Sequence, residues 1–218
     1  MQSFGKVGNK LIRIYSIALD EIDPITLQSR LDPAFLAAWR ERHEGMQNPS
    51  AARASLAGVW LAAQALPQAS LSYSNLGKPI LTDADQTDRP VSISHTKTHA
   101  FCAVSDPCDG VTALGIDAEP LDRRSFDACK RLAARWFSPA EQADLDRAPS
   151  VQRFLEIWTR KEALVKLTGT GLRDLRSTDS QNLPKNLHLA SVSLDSSILS
   201  IAYESDVGVS WGFSWETF

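Results

Sequence analysis

The segment Val151–Thr168 carries the strongest helical pattern in the chain, and it limits which folds the chain can adopt. Gly169 and Gly171 follow it, and glycine commonly ends a last helical turn. The strand-like runs around this helix do not alternate with helices. Residues 11–19 hold the alternating run Leu-Ile-Arg-Ile-Tyr-Ser-Ile, and 91–94, 100–105 and 112–116 read as further strands. Residues 191–203 and 208–215 return to strand character. Other helices are predicted at Pro33–Arg42, with Asp32 as cap and Pro33 in the first position, and at 50–66, stopped before Pro67. Two more are predicted at 125–136 and at 139–146 after the Ser138 cap, and 75–79 is a turn by composition. Both halves mix helices with a few strands, so the expected class is α+β. The expected boundary lies near 107–111, dividing residues 1–108 from 109–218.

At 218 residues the chain is long enough to bury a core without disulfides. Its net charge of −3 gives no overall pull toward nucleic acid or an anionic membrane, so any anion site must be local. Cys102, Cys108 and Cys129 cannot all pair, and none forms a CxxC; this fits a reducing compartment. Residues 1–10 have no continuous apolar stretch after their basic residues, and no apolar run approaches the roughly 20 residues of a membrane helix. A soluble cytoplasmic protein is expected, binding neither nucleic acid nor membrane.

Two short segments carry chemistry. In a strand, residues two apart point the same way, so Asp117 and Glu119 of Gly115-Ile116-Asp117-Ala118-Glu119 present their carboxylates side by side. Like charges that close repel unless a cation sits between them, and an all-oxygen set suits Mg²⁺. Taken alone, the same pattern also fits a solvated sheet edge. On the helix, Trp158, Glu162 and Lys166 are spaced four apart on one face. Glu162 would complete a metal site, and Lys161 and Lys166 would balance phosphate charge. A plain Glu162–Lys166 surface pair remains the bland alternative.

Together these segments resemble the 4′-phosphopantetheinyl transferases of the longer, surfactin-synthetase-activating type. The resemblance runs from about Arg40 to Gly171 in the family's order. It covers Arg53-Ala54-Ser55-Leu56-Ala57-Gly58, Gly77-Lys78-Pro79, Ser92-Ile93-Ser94-His95-Thr96, Gly115 to Glu119, Trp136 to Glu141, and Trp158-Thr159-Arg160-Lys161-Glu162-Ala163-Leu164-Val165-Lys166. The Gly-x-Asp-x-Glu and Trp-x-x-Lys-Glu-x-x-x-Lys pair is its specific element. Val91-Ser92 stands where many members have Phe-Asn, Trp136 replaces a phenylalanine, and Met46 an aromatic residue.

The resemblance implies two similar α+β subdomains in one monomeric chain, a pseudo-dimer with coenzyme A in the cleft between them. It implies that Asp117, Glu119 and Glu162 bind Mg²⁺, for which Mn²⁺ can substitute, together with the pyrophosphate. Lys166, Ser94 and His95 would hold phosphate oxygens, with Lys161 from the helix pattern beside them. Gly77, Lys78 and Pro79 would border the adenine, and Arg53 would pair with the 3′-phosphate, helped by Arg40 or Arg42. The implied reaction transfers phosphopantetheine to a serine of an apo acyl or peptidyl carrier protein, with Glu162 or a metal-bound water as base. Two other readings stay open here: a catalytically silent carrier-binding relative, and a magnesium-dependent nucleotide pyrophosphate hydrolase.

Overall fold

The computed structural model describes residues 11–20, 22–44, 47–105, 110–121, 124–206 and 209–215. Residues 1–10, Met46, Cys108 and positions 107–109 of the boundary expected near 107–111 lie outside the described residues. The chain opens with strand β1 (Leu11–Ala18), followed by helices α1 (Pro24–Arg30), α2 (Pro33–Arg42) and α3 (Pro49–Ala65). All three helices start alike: Asp23, Asp32 and Asn48 accept backbone N–H bonds, and proline, which has no N–H to satisfy, stands in the first turn. Helix α1 goes unpredicted by periodicity because it is only seven residues long, although Asp23-Pro24 repeats the Asp32-Pro33 start signal.

Strands β2 (Ser70–Tyr73), β3 (Pro79–Thr82) and β4 (Asp88–Arg89) form a small antiparallel sheet, also unpredicted. The hairpin β5 (Val91–His95) and β6 (His99–Ser105) follows. Next come β7 (Val111–Pro120), α4 (Phe126–Trp136), α5 (Pro139–Arg147) and α6 (Val151–Thr168), and then β8 (Leu187–Ser193), β9 (Ser197–Ser205) and β10 (Ser210–Trp215). The single strand expected at 191–203 is thus a hairpin. Leu194 N–H donates to the Ser197 carbonyl across a turn marked only by Asp195 and Ser196, a weaker signal than glycine or proline. The class is α+β, as expected.

The element order repeats. A strand, three helices and an antiparallel hairpin occur twice, with strand order β1-β6-β5 in one sheet and β7-β9-β8 in the other. The small sheet is inserted between α3 and β5. Strand β10 pairs in parallel with β1, so the end of the chain returns to the first sheet. Helix α3 packs on β5 and β6, and α6 on β7 and β9. Strand alternation then sorts the apolar residues. Tyr15 and Ile17 of β1 face the α3 core, while Ile12 and Ile14, with Phe101, meet Leu114, Ile116, Leu199 and Ile201 of the other sheet. That shared layer fixes one sheet against the other. Gly115 permits the closest approach: a Cβ there would stand 2.0 Å from the Ala163 carbonyl of α6, so only glycine lets this helix lie so near β7. Among the described residues, no helix is long and apolar enough to cross a membrane.

Candidate active site

Strand β5 lies beside β7 where the two sheets meet. Ser92 and Ser94, two apart, turn the same way and stitch the strands together. Ser92 Oγ accepts from Ile116 N–H at 2.9 Å, and Ser94 Oγ accepts from Ala118 N–H at 3.2 Å. The Ser94 hydroxyl donates to Asp117 Oδ1 at 3.0 Å. Lys166, reaching in from the last full turn of α6, donates to that same Oδ1 at 2.8 Å and to Ser94 Oγ at 2.9 Å. Sequence positions 94, 117 and 166 therefore converge on one carboxylate, and its carrier Asp117 is 4% exposed.

A cleft of about 880 Å³ opens over this point, lined by Ser94, His95, Asp117, Glu119, Glu162 and Lys166, with Arg124 at its wall and the start of α3 opposite. A smaller hollow of about 330 Å³ shares Ile93, Glu162 and Lys166 with it and continues to Gly77, Lys78 and Pro79. Volumes of this size accept a cofactor-sized ligand.

Crowding sets the electrostatics. Burial first, and then Asp117, raises the Glu162 pKa to about 8, with Lys166 opposing. Burial likewise raises Glu119, against the pull of Arg124, which holds Glu119 Oε2 at 3.0 Å. Burial first, and then the Lys166 charge, lowers the His95 pKa. Burial also lowers Lys78, whose ammonium donates to the Leu167 carbonyl at 2.5 Å and satisfies an open carbonyl at the end of α6.

The structure does not bring Lys161 to the cleft. It is 0% exposed on the opposite side of α6, pairing with Glu141 Oε2 at 2.8 Å and donating to the Thr178 carbonyl. A side chain so enclosed cannot meet a phosphate. Arg53 borders the cleft without lining it, its guanidinium donating to the carbonyl of Leu19, which does line it. Of the two alternatives for an assisting basic residue, Arg40 donates outward to Gln28 at 3.1 Å. Arg42 lies over the Gly77 turn, where an added Cβ would stand 2.4 Å from its Nη2. His95 and His99 sit on opposite strands of a hairpin, and among the described residues they belong to no metal-binding group.

A family model described as the 4′-phosphopantetheinyl transferase superfamily matches residues 113–207, the stretch holding Asp117, Glu119, Glu162 and Lys166. A 4′-phosphopantetheinyl transferase AcpT of Salmonella typhi is 30% identical over 192 residues, 86% of this chain and 91% of that protein. The chain belongs to the 4′-phosphopantetheinyl transferase superfamily. A 4′-phosphopantetheinyl transferase of Bacillus subtilis is 28% identical over 172 residues, 74% of this chain and 72% of the other. The 4′-phosphopantetheinyl transferase HetI of a Nostoc strain is 34% identical over 116 residues, 51% of this chain, and the match spans 46% of that protein's length.

Within this superfamily member the donor set suits a hard cation. Asp117 Oδ2 is buried and finds no hydrogen-bond partner among the described residues, and Glu119 and Glu162 bring only oxygen. Among the described residues no three such side chains are gathered closely enough to enclose an ion as they stand, and Glu119 is turned to Arg124. Arg124 and Lys97 also line the cleft, and neither motif places them there: Arg124 follows the acidic pair by five positions, outside both motifs, so spacing gave no signal for a role in the site.

Proposed function

We propose that this chain transfers the 4′-phosphopantetheine arm of coenzyme A to a serine of an apo acyl or peptidyl carrier protein, releasing 3′,5′-ADP. One observation carries the reading: Ser94, Asp117 and Lys166 converge at the foot of a cleft also lined by Glu119 and Glu162, where the two sheets meet. The repeated element order and the shared apolar layer support two subdomains divided near residue 108, with the cleft between them.

In this reading the pyrophosphate lies over Asp117, with Lys166, Ser94 and His95 on its oxygens. Mg²⁺ held by Asp117, Glu119 and Glu162 would neutralise the charge gathering there. The adenine extends into the smaller hollow against Gly77, Lys78 and Pro79. Glu162, which lines both hollows beside Asp117, accepts the proton of the attacking serine hydroxyl. The hydroxyl oxygen bonds to the β-phosphorus as the bond to the 3′,5′-ADP oxygen breaks. Positioning and charge neutralisation do most of this work. The enzyme acts as a cytoplasmic monomer in this reading, consistent with Cys102 and Cys129 being buried free thiols.

Incubation with coenzyme A, Mg²⁺ and an apo carrier should add the mass of the arm to the carrier and yield 3′,5′-ADP. An unchanged carrier mass would sink the transferase reading, and consumption of coenzyme A without carrier would favour a hydrolase. The basic residues at the nucleotide end give a second expectation. Arg42→Ala and Arg53→Ala should each weaken coenzyme A by about tenfold more than 3′-dephospho-coenzyme A, because a guanidinium grips a phosphate through paired hydrogen bonds. Calorimetry measures both ligands. Equal losses for Arg53→Ala would mean that it acts only through Leu19.

A further inference from the structure

Arg124 stands at the cleft wall with its guanidinium half used. One nitrogen, Nη2, holds Glu119 Oε2 at 3.0 Å. The other, Nη1, is buried and finds no hydrogen-bond partner among the described residues. The guanidinium carbon lies 6.0 Å from the centre of the Trp158 ring, at the outer reach of a cation–π contact, so the aromatic face backs the fork in the wall it shares with Asp117, Glu162 and Lys166. The pair is not sealed: the Arg124 side chain is 35% exposed and that of Glu119 21%, so water and ions reach both partners. A guanidinium that meets a carboxylate through one nitrogen forgoes the bidentate geometry that makes such pairs strong.

We propose that Arg124 is a displaceable counter-ion: it competes with the divalent cation for Glu119 and, once displaced, turns its fork to the pyrophosphate of coenzyme A. This rests on the functional reading above. The chemistry follows from charge. Glu119 is a single carboxylate facing two cationic claimants, and hard-oxygen coordination of a divalent ion draws it from a singly bonded guanidinium. The released fork stays in the cleft wall against Trp158, with two nitrogens free for the anion that accompanies the cation. Cation and coenzyme A therefore bind with positive coupling: the first ligand frees the residue that the second uses, and each must raise the other's affinity by the same factor. Arg124 is by this account a positioning residue for the metal and a binding residue for the substrate, and it takes no proton.

The effect of Arg124→Gln is then of opposite sign for the two ligands. Calorimetry with Mn²⁺ alone should show the variant binding the ion about tenfold tighter than wild type, because the competitor is gone. With Mn²⁺ saturating, the variant should bind coenzyme A about tenfold more weakly, because the fork is gone. Arg124→Lys keeps a competing charge without the fork, so its Mn²⁺ affinity should stay near wild type while coenzyme A weakens. The gain in Mn²⁺ affinity should vanish when Arg124→Gln is made in a Glu119→Gln background. Loss of affinity for both ligands, or no change in either, would assign Arg124 a purely structural part and overturn the proposal. A gain that persists without Glu119 would overturn competition at that carboxylate. Absence of any Mn²⁺ binding in wild type and variant alike, with coenzyme A still bound, overturns the metal reading and this proposal with it. Absence of coenzyme A binding under every condition overturns the transferase reading itself.

Discussion

Lys161→Ala should destabilise the protein by about 3–5 kcal/mol, because it leaves the Glu141 carboxylate buried without its counter-ion. Both side chains are 0% exposed. Glu141 already has a full set of partners: Ser138 N–H as part of a capping box, Ser180 N–H and hydroxyl at 2.8 and 2.7 Å, and the Lys161 ammonium. The lysine also donates to the Thr178 carbonyl, so one ammonium ties α5, α6 and the segment after α6 together. Removing it strands a charge and frees that segment. At roughly 2–4 °C per kcal/mol for a chain of this size, thermal melting should fall by about 6–20 °C. Coenzyme A affinity, measured where the variant is still folded, should be close to wild type. A variant that melts normally and loses coenzyme A would restore the phosphate role that the charge pattern of the helix suggests for this lysine.

That residue shows where the sequence is legible and where it is not. The signals that read correctly are local. The caps at Asp32 and Ser138, the glycine stop at Gly169 and the period-two alternation of β1 each act over a few residues and are visible as patterns. The acidic pair of β7 and the Glu162–Lys166 face of α6 are local in the same way, and all four side chains line one cleft. What is not legible depends on the far side of a packed element. Lys161 adjoins Glu162 in sequence, but one helical position turns it by about 100° and carries it from the cleft into the core. Helical spacing puts Lys161 off the Glu162–Lys166 face, but no spacing rule names Glu141, twenty positions earlier, as its partner. Ser92 is similar: its place in the sequence says little, and its use becomes plain only when Ile116 N–H arrives from the other sheet. The small sheet of β2, β3 and β4 escaped because its strands are two to four residues long and partly exposed, too short to show a period.

Glu162→Gln should lower turnover by about 10²- to 10⁴-fold, the usual contribution of a positioned base, while coenzyme A binding is largely kept. The amide preserves the shape and one oxygen but cannot accept the serine proton. If binding and turnover fall together by the same factor, the base role has no support. The same substitution has a second readout that needs no substrate. In the protein without metal, the Glu162 pKa is raised by burial and by Asp117 to about 8, from an ordinary value of 4.5. A carboxylic acid with a raised pKa in the folded state binds its proton more tightly there than in the unfolded chain. Its contribution is therefore complete below the ordinary carboxylate range and is lost as the pH climbs through neutrality toward 8. Above that value both states are ionised, and the folded state carries the cost of three crowded carboxylates. Glutamine has no such proton, so with chelator present the variant should melt near the wild-type temperature at pH 4–5 and above it at pH 8–9. Added Mg²⁺ should raise the wild-type melting temperature at pH 8–9 more than that of the variant, since the cation relieves the same repulsion. A wild-type protein whose melting temperature does not decline relative to the variant between pH 5 and 8 would show that Glu162 is not held protonated in the metal-free protein.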